Sequence, residues 1–259
     1  MRILFVADVF GAPGRRAVEA RLPTLREELD IDFCAVNAEN AADGAGLTPK
    51  LADKILTAGA DVITLGNHAW RRPELGPYLA TAERVIRPAN FSMHAPGRGL
   101  VVAPARDGTP VGVLNLMGWL FMEVAAGPFE LVDDLVEQAR RQAKIVLLDF
   151  HAEATSEKMA MARWLDGRVT AVIGTHTHVQ TNDARVQPGG TAAITDVGMT
   201  GPHDSVIGVD AETAIERMRT GMFFRFRPAE GDVRIEGALI ECDQDGRALS
   251  CEALRIPVD

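Results

Sequence analysis

Five short apolar runs in this chain each stop on a residue whose side chain can bind a metal ion. Arg2 to Ala7 stops at Asp8, Asp32 to Ala38 at Glu39-Asn40, and Asp61 to Leu65 at Gly66-Asn67-His68. Ile145 to Phe150 stops at His151, and Ala171 to Ile173 runs through Gly174-Thr175 to His176 and His178. None of the runs has a helical period, so each reads as a buried strand. Helical pattern fills most of the intervals between them. Strands and helices in alternation build a layered α/β fold, in which ligands sit outside the carboxyl ends of the strands.

The helices carry recognisable start and stop signals. Gly11-Ala12-Pro13-Gly14 opens a helix to about Leu29, with Pro23 expected to kink or split it. Thr48-Pro49 is an N-cap followed by proline, and Gly59 ends that helix. Further helices are expected over Arg71 to Ala80, over Glu130 to Ala143, from a Thr155 or Ser156 cap to about Asp166, and from an Asp210 cap to Arg219. Short strands are expected at Val85-Ile86 and Thr191 to Thr195, and a strand pair at Leu100 to Ala105 and Val111 to Met117. The tail, Phe223 to Phe226, Val233 to Cys242 and Ala248 to Ile256, reads as an antiparallel meander. With 259 residues, 47% of them apolar, the chain can bury a substantial core. No repeat or linker divides it, so residues 1–259 read as a single domain.

Composition narrows the function classes. A net charge of −9 argues against a protein that coats nucleic acid by broad phosphate neutralisation. A small anionic ligand stays possible, because a bound cation reverses the sign of a site. No apolar stretch is long enough to span a bilayer, and the start lacks a signal-peptide pattern, so the expected location is cytoplasmic. Cys34, Cys242 and Cys251 are scattered and read as free thiols, although the last two can face each other across a hairpin.

Taken singly, most of the strand-end residues have an ordinary reading: Asp8 as a helix cap, Glu39-Asn40 as loop polarity, Asn67-His68 as a turn, His151 as a satisfied core histidine. Only His176 and His178 stand out alone, because an extended chain past Gly174 would put both imidazoles on one side. Together the five strand ends offer two carboxylates, two amides and four imidazoles. That exceeds one four-coordinate ion and suits two ions sharing a carboxylate. Mixed oxygen and imidazole donors without thiolate suit iron or manganese at least as well as zinc.

The ordered motifs Asp8, Asn37-Ala38-Glu39-Asn40, Gly66-Asn67-His68, His151 and Gly174-Thr175-His176-Thr177-His178 resemble the calcineurin-like metallophosphoesterase superfamily. The flanking words Phe5-Val6-Ala7-Asp8-Val9-Phe10-Gly11, His151-Ala152-Glu153-Ala154-Thr155-Ser156-Glu157-Lys158 and Gly201-Pro202-His203-Asp204-Ser205-Val206-Ile207-Gly208 resemble its YmdB-like branch over nearly the whole chain. Two positions depart from the broad superfamily and are shared by that branch: Phe10 stands where a histidine is usual, and Glu39 where an aspartate is. The resemblance implies mixed β-sheets packed as a sandwich with flanking helices. It implies that Asp8, Glu39, Asn40 and His178 hold one ion, and that Glu39, Asn67, His151 and His176 hold the other. It leaves His68 as a general acid and favours iron, with manganese second, in divalent or mixed-valent form.

The resemblance further implies a phosphodiesterase that hydrolyses 2′,3′-cyclic nucleotides by attack of a hydroxide held between the ions. Two rivals stay open: a phosphomonoesterase or nucleotidase on the same centre, and a regulatory protein that binds a phosphorylated ligand or an RNA end. A homo-oligomer is expected, with the antiparallel tail as a contact. His203 reads as a rim residue and His94 as surface. Met159, Met161 and Trp164 sit at helical spacing and read as core, as do Trp119, Phe121 and Met122, which otherwise suit an apolar wall for a base. Thr155 to Lys158 are expected to steady the loop after His151.

Overall fold

A computed structural model describes residues 1–258. The chain begins β1 (Arg2–Val6), β2 (Asp8–Val9), α1 (Gly11–Glu28), β3 (Phe33–Asn37), α2 (Pro49–Thr57), β4 (Val62–Thr64) and α3 (Leu75–Leu79). It continues β5 (Leu100–Pro104), β6 (Pro110–Met117), α4 (Pro128–Arg140), β7 (Ile145–His151), α5 (Thr155–Trp164), β8 (Ala171–Thr175), β9 (Arg185–Val186) and β10 (Ala192–Ile194). It ends β11 (Met199–Pro202), α6 (Ala211–Thr220), β12 (Val233–Cys242) and β13 (Ala248–Pro257).

Two mixed sheets form. One has the order β2-β11-β12-β1-β3-β4 with β13 on β12, and the other β5-β6-β7-β8-β10-β9. Alternation along the strands explains how they stack. Ile3 and Phe5 of β1, Phe33 and Ala35 of β3, Ile145 and Leu147 of β7, and Ala171 and Ile173 of β8 share one core between the sheets. The opposite parity, Leu4 and Val6, faces the cluster that holds Val18 and Leu22 of α1 and Ile55 of α2. Val146 and Leu148 likewise face Val132 and Val136 of α4. Strands buried on both faces lose the polar alternation of a half-exposed sheet, which is why they read as continuous apolar runs. The result is a β-sandwich with helices on both outer faces.

The intersheet parity carries the site. Continued to the strand ends it reaches Asn37 of β3, Thr64 of β4, Asp149 and His151 of β7, and Thr175 of β8. Asn37 pairs with Thr64, and His151 with Thr175, in the parallel ladders. The layer between the sheets thus changes from apolar to polar at one end.

Several local expectations are corrected. α1 runs unbroken through Pro23, which lies on its exposed side. Only Leu75–Leu79 of the Arg71 to Ala80 segment is helical, and Val85 makes a single bridge to Ile63. Phe223 to Phe226 is not a strand and joins neither sheet. α5 starts after Ala154 with no side-chain cap. Cys251 pairs with Ile240, two residues before Cys242, which pairs with Ala248, and all three thiols are free. Of the aromatic and methionine positions expected in the core, Met161 is buried, but Trp119, Phe121, Met159 and Trp164 are exposed. The Thr48 and Asp210 caps form, with the side chains accepting from Leu51 N and Thr213 N.

Candidate metal centre

His151 stands at the C-terminal end of β7 and is fully buried. Its Nδ1 lies 2.9 Å from Thr175 Oγ1, and that hydroxyl donates to Asp149 Oδ1 at 2.7 Å. The hydroxyl therefore accepts from Nδ1–H, which makes Nε2 the nitrogen that gains or loses the ring's second proton. Nε2 points at other acceptors: Asn67 Oδ1 at 3.0 Å, His176 Nδ1 at 3.1 Å and Glu39 Oε1 at 3.2 Å. On the far side His176 Nε2 lies 3.0 Å from Glu153 Oε2.

His178 repeats the pattern. Its Nδ1–H donates to the Ile207 carbonyl at 2.9 Å, so Nε2 is again the nitrogen that gains or loses the second proton. That atom lies 3.4 Å from Asp8 Oδ2 and 3.1 Å from Asn40 Nδ2. Both carboxylate oxygens of Asp8 are buried with no hydrogen-bond partner. Buried carboxylate oxygens without donors are strongly disfavoured unless a cation or extra protons accompany them. Glu39 stands between the two groups. Asn40 Nδ2 donates to its Oε1 at 3.2 Å, and His68 N to its Oε2 at 3.0 Å.

Charge responds to this crowding. Burial opposes ionisation of Glu39, but His151 and then His68 outweigh it and hold the carboxyl below the usual range. Burial likewise opposes charging of His151, yet Glu39, Asp8 and Asp149 push it up to about 9. Burial and then His151 push His176 down to about 3. Two carboxylates and three imidazoles thus settle only by sharing protons. Cations in their place would satisfy every lone pair, so the donor set fits the two metal ions expected. Glu39, His151 and His176 already bring ligand atoms within 4.8 Å of one another.

The backbone makes this convergence by a route other than an extended strand. His176 and His178 take φ of 103° and 63°, a left-handed conformation costing on the order of 1–3 kcal/mol at a residue other than glycine. Thr177 between them donates from N and Oγ1 to Asp196 Oδ2 at 3.0 and 2.8 Å. Asp196 is held by Lys158 Nζ at 2.7 Å in a buried ion pair. Lys158 therefore braces the His176–His178 turn, while Glu157 accepts from Trp119 N and Leu120 N and steadies the 118–120 loop. Gly66 packs against the cradle so closely that a Cβ there would strike Glu39 Oε2 and His151 Nε2.

His68 stands beside the ligand-type groups and keeps one ring nitrogen free of them. Its Nδ1–H donates to Asn40 Oδ1 at 2.6 Å, leaving Nε2 for another partner. Burial lowers its pKa, and Glu39 opposes that shift. His68, His176 and His178 border a cavity of about 670 Å³. His203 lies near His178 on the rim of a smaller cavity, and His94 is exposed. All eight residues expected at the site from the strand ends thus meet in space. Lys158, expected to steady the loop after His151, instead holds the His176–His178 turn through Asp196, and Asn37, Thr64, Asp149 and Thr175 support the site without having been given a role of their own in the sequence. Their signal was parity: polar residues on the intersheet face of apolar strands.

A family model described as YmdB-like protein matches residues 4–254. The chain is 44% identical, over 260 residues, to the 2′,3′-cyclic-nucleotide 2′-phosphodiesterase of Bacillus subtilis, covering 100% of this chain and 98% of that protein. The crystal structure of a hypothetical protein from Thermus thermophilus matches with a TM-score of 0.93 and 41% identity, covering 99% of each chain. That of a novel phosphatase from Mycoplasma pneumoniae matches with a TM-score of 0.91 and 33% identity, covering 99% of this chain and 93% of the other.

Proposed function

The chain belongs to the YmdB-like family, with the calcineurin-like metallophosphoesterase fold, and from that premise we propose that it hydrolyses nucleoside 2′,3′-cyclic phosphates at a two-metal centre. The observation that carries this reading is the pair of Asp8 carboxylate oxygens, buried with no hydrogen-bond partner, beside a crowd of imidazoles and the Glu39 carboxylate. His178 Nε2 and both oxygens of Asp8 face one space, and His151 Nε2, Asn67 Oδ1 and Glu39 Oε1 face another. Asp8, Glu39, Asn40 and His178 would hold one ion. Glu39, Asn67, His151 and His176 would hold the other, with Glu39 shared. The likeness to the Bacillus phosphodiesterase supports the substrate class.

Bound divalent ions would supply electrophilic activation of the phosphoryl group and acidify a water. Oxygen and imidazole donors without thiolate support iron as the native metal, with manganese second. The chain's own contribution is to fix geometry and move a proton. Thr175 and Ile207 pin the imidazoles of His151 and His178 so that Nε2 faces inward. In its doubly protonated form His68, pinned through Nδ1–H to Asn40, delivers the proton of Nε2 to the ribose 2′ oxygen as that oxygen's bond to phosphorus breaks, and is left neutral. Water oxygen bonds to phosphorus in the same substitution, and the product is a nucleoside 3′-phosphate.

Residues 1–259 act as one domain in this reading, since one intersheet core joins both sheets. No helix among the described residues is long and apolar enough to cross a membrane, and we assign the protein to the cytoplasm. The exposed side chains of Trp119, Leu120 and Phe121 support a homo-oligomer. The test is turnover of a 2′,3′-cyclic nucleotide and of a matched phosphomonoester by iron-loaded or manganese-loaded protein, repeated with His68→Ala. Diester hydrolysis that falls by about 10²–10⁴-fold in the variant, with metal content unchanged, is expected. Unchanged turnover in the variant removes His68 from the reaction, and preference for the monoester replaces the diesterase reading.

A further inference from the structure

One wall of the cleft is unlike the rest of the surface. Residues 221–228 leave α6 without regular structure and read Gly-Met-Phe-Phe-Arg-Phe-Arg-Pro. Phe223 is 83% exposed and Phe226 41%, although a large apolar ring in water is disfavoured. Phe223, Arg225 and Arg227 border the same cavity of about 670 Å³ as His68 and His176. Arg217 of α6 already stacks on this wall, its guanidinium carbon 4.5 Å from the Phe226 ring centroid. Arg71, three residues beyond His68, borders the cavity as well.

The charges are asymmetric in a telling way. The acids of the cavity beyond Glu39 have hydrogen-bonding partners: Asp43 Oδ2 lies 3.3 Å from Arg72 Nη2, and Glu153 Oε2 lies 3.0 Å from Nε2 of the neutral His176 ring. The cations do not. Among the described residues, Arg71, Arg225 and Arg227 make no ion pair, although Arg227 feels the Asp210 carboxylate at the α6 cap. Three unpaired guanidiniums therefore gather beside a metal cradle in a chain whose net charge is −9.

We propose that this wall holds the nucleotides upstream of the reacting one, so that the substrate is a short oligoribonucleotide ending in a 2′,3′-cyclic phosphate. The inference rests on the reading of the cradle as a cyclic-phosphodiesterase centre. A cyclic mononucleotide has a single phosphate, and that group belongs at the cradle. The guanidiniums then have no anion to meet. Each upstream nucleotide adds one phosphodiester for an arginine and one base for an exposed ring. Stacking on phenylalanine accepts any base, so the wall reads strand and length rather than sequence. Acidic surface elsewhere limits the contact to the end of the strand, because long RNA needs a continuous basic track.

The experiment compares adenosine 2′,3′-cyclic phosphate with a triadenylate ending in the same cyclic group, using metal-loaded protein and the variants Phe223→Ala and Arg225→Ala. Wild-type kcat/KM favours the trinucleotide by on the order of tenfold, the worth of about one stacked base. Both variants lose most of that preference, and added salt erodes it. Equal kcat/KM for the two substrates in the wild type overturns the inference. So do variants that change the subunit count in sedimentation while the preference stays intact, which would make the segment a contact between copies. Binding of the product, a fluorescent trinucleotide 3′-phosphate, reads the wall without turnover. A Kd weakened on the order of tenfold in Phe223→Ala upholds the inference even if no diester is cleaved. An unchanged Kd overturns it even if the cyclic mononucleotide is a substrate.

Discussion

The Thr175 hydroxyl donates to Asp149 Oδ1 at 2.7 Å, and through that bond a fully buried carboxylate fixes the ring of His151. Asp149 also accepts from Asn37 Nδ2 at 3.0 Å and from the Thr64 hydroxyl. Desolvation raises its pKa to about 6 even so. The imidazole of His151 is thus oriented from inside the sandwich, by residues buried from solvent.

Thr175→Val keeps the shape and removes the link. His151 Nδ1–H then loses its acceptor and Asp149 one of its donors, at a cost of about 1–3 kcal/mol in stability. Metal affinity is expected to fall about 10–100-fold, as when an outer-shell partner is lost. Metal titration followed by calorimetry checks this, and Thr175→Ser should restore most of the affinity.

Gly66→Ala places a methyl against Glu39 Oε2 and His151 Nε2. The φ of Gly66 is not in the left-handed region, so the backbone accepts alanine. Circular dichroism should show a folded protein, while elemental analysis should show at least one ion per chain lost.

Lys158 and Asp196 are 3% and 1% exposed, so neither charge can recruit water when its partner goes. Lys158→Ala leaves Asp196 buried and unpaired, and about 3–5 kcal/mol of stability should be lost in urea unfolding. The Thr177 turn rests on the same carboxylate, so metal affinity should fall as well.

In metal-free protein, stability should peak between two limits. Glu39 is held below the usual carboxylate range, so its contribution is present above its unfolded pKa and is lost as pH falls toward its folded value. His151 is raised to about 9, so its contribution is full below its unfolded pKa and is lost as pH rises through about 9. Metal ions replace that proton, so binding should release protons near neutral pH and flatten the alkaline limb. Thermal unfolding against pH, with and without manganese, measures both.

The strand-end residues were legible because buried strands give continuous apolar runs and chelating side chains interrupt them abruptly. Asn37, Thr64, Asp149 and Thr175 were equally available by extending the intersheet parity one step further, since each follows Ala35, Val62, Leu147 or Ile173 by two residues. The path of His176 and His178 was not legible. It depends on left-handed backbone that a distant ion pair, Lys158–Asp196, holds in place. Phe223 to Phe226 has strand-like residue types, but a strand needs an edge, and that is a property of the whole fold. Trp119, Phe121 and Trp164 looked like core because periodicity records which residues share a face, not whether anything covers it.

The most direct test of the central claim is a crystal structure of the iron-loaded or manganese-loaded protein, with anomalous scattering to locate and count the ions. Two ions are expected, one bordered by Asp8, Asn40 and His178, the other by Asn67, His151 and His176, with Glu39 between them. A well-ordered cradle that holds a single ion or none, or one in which Glu39 touches neither, would contradict it.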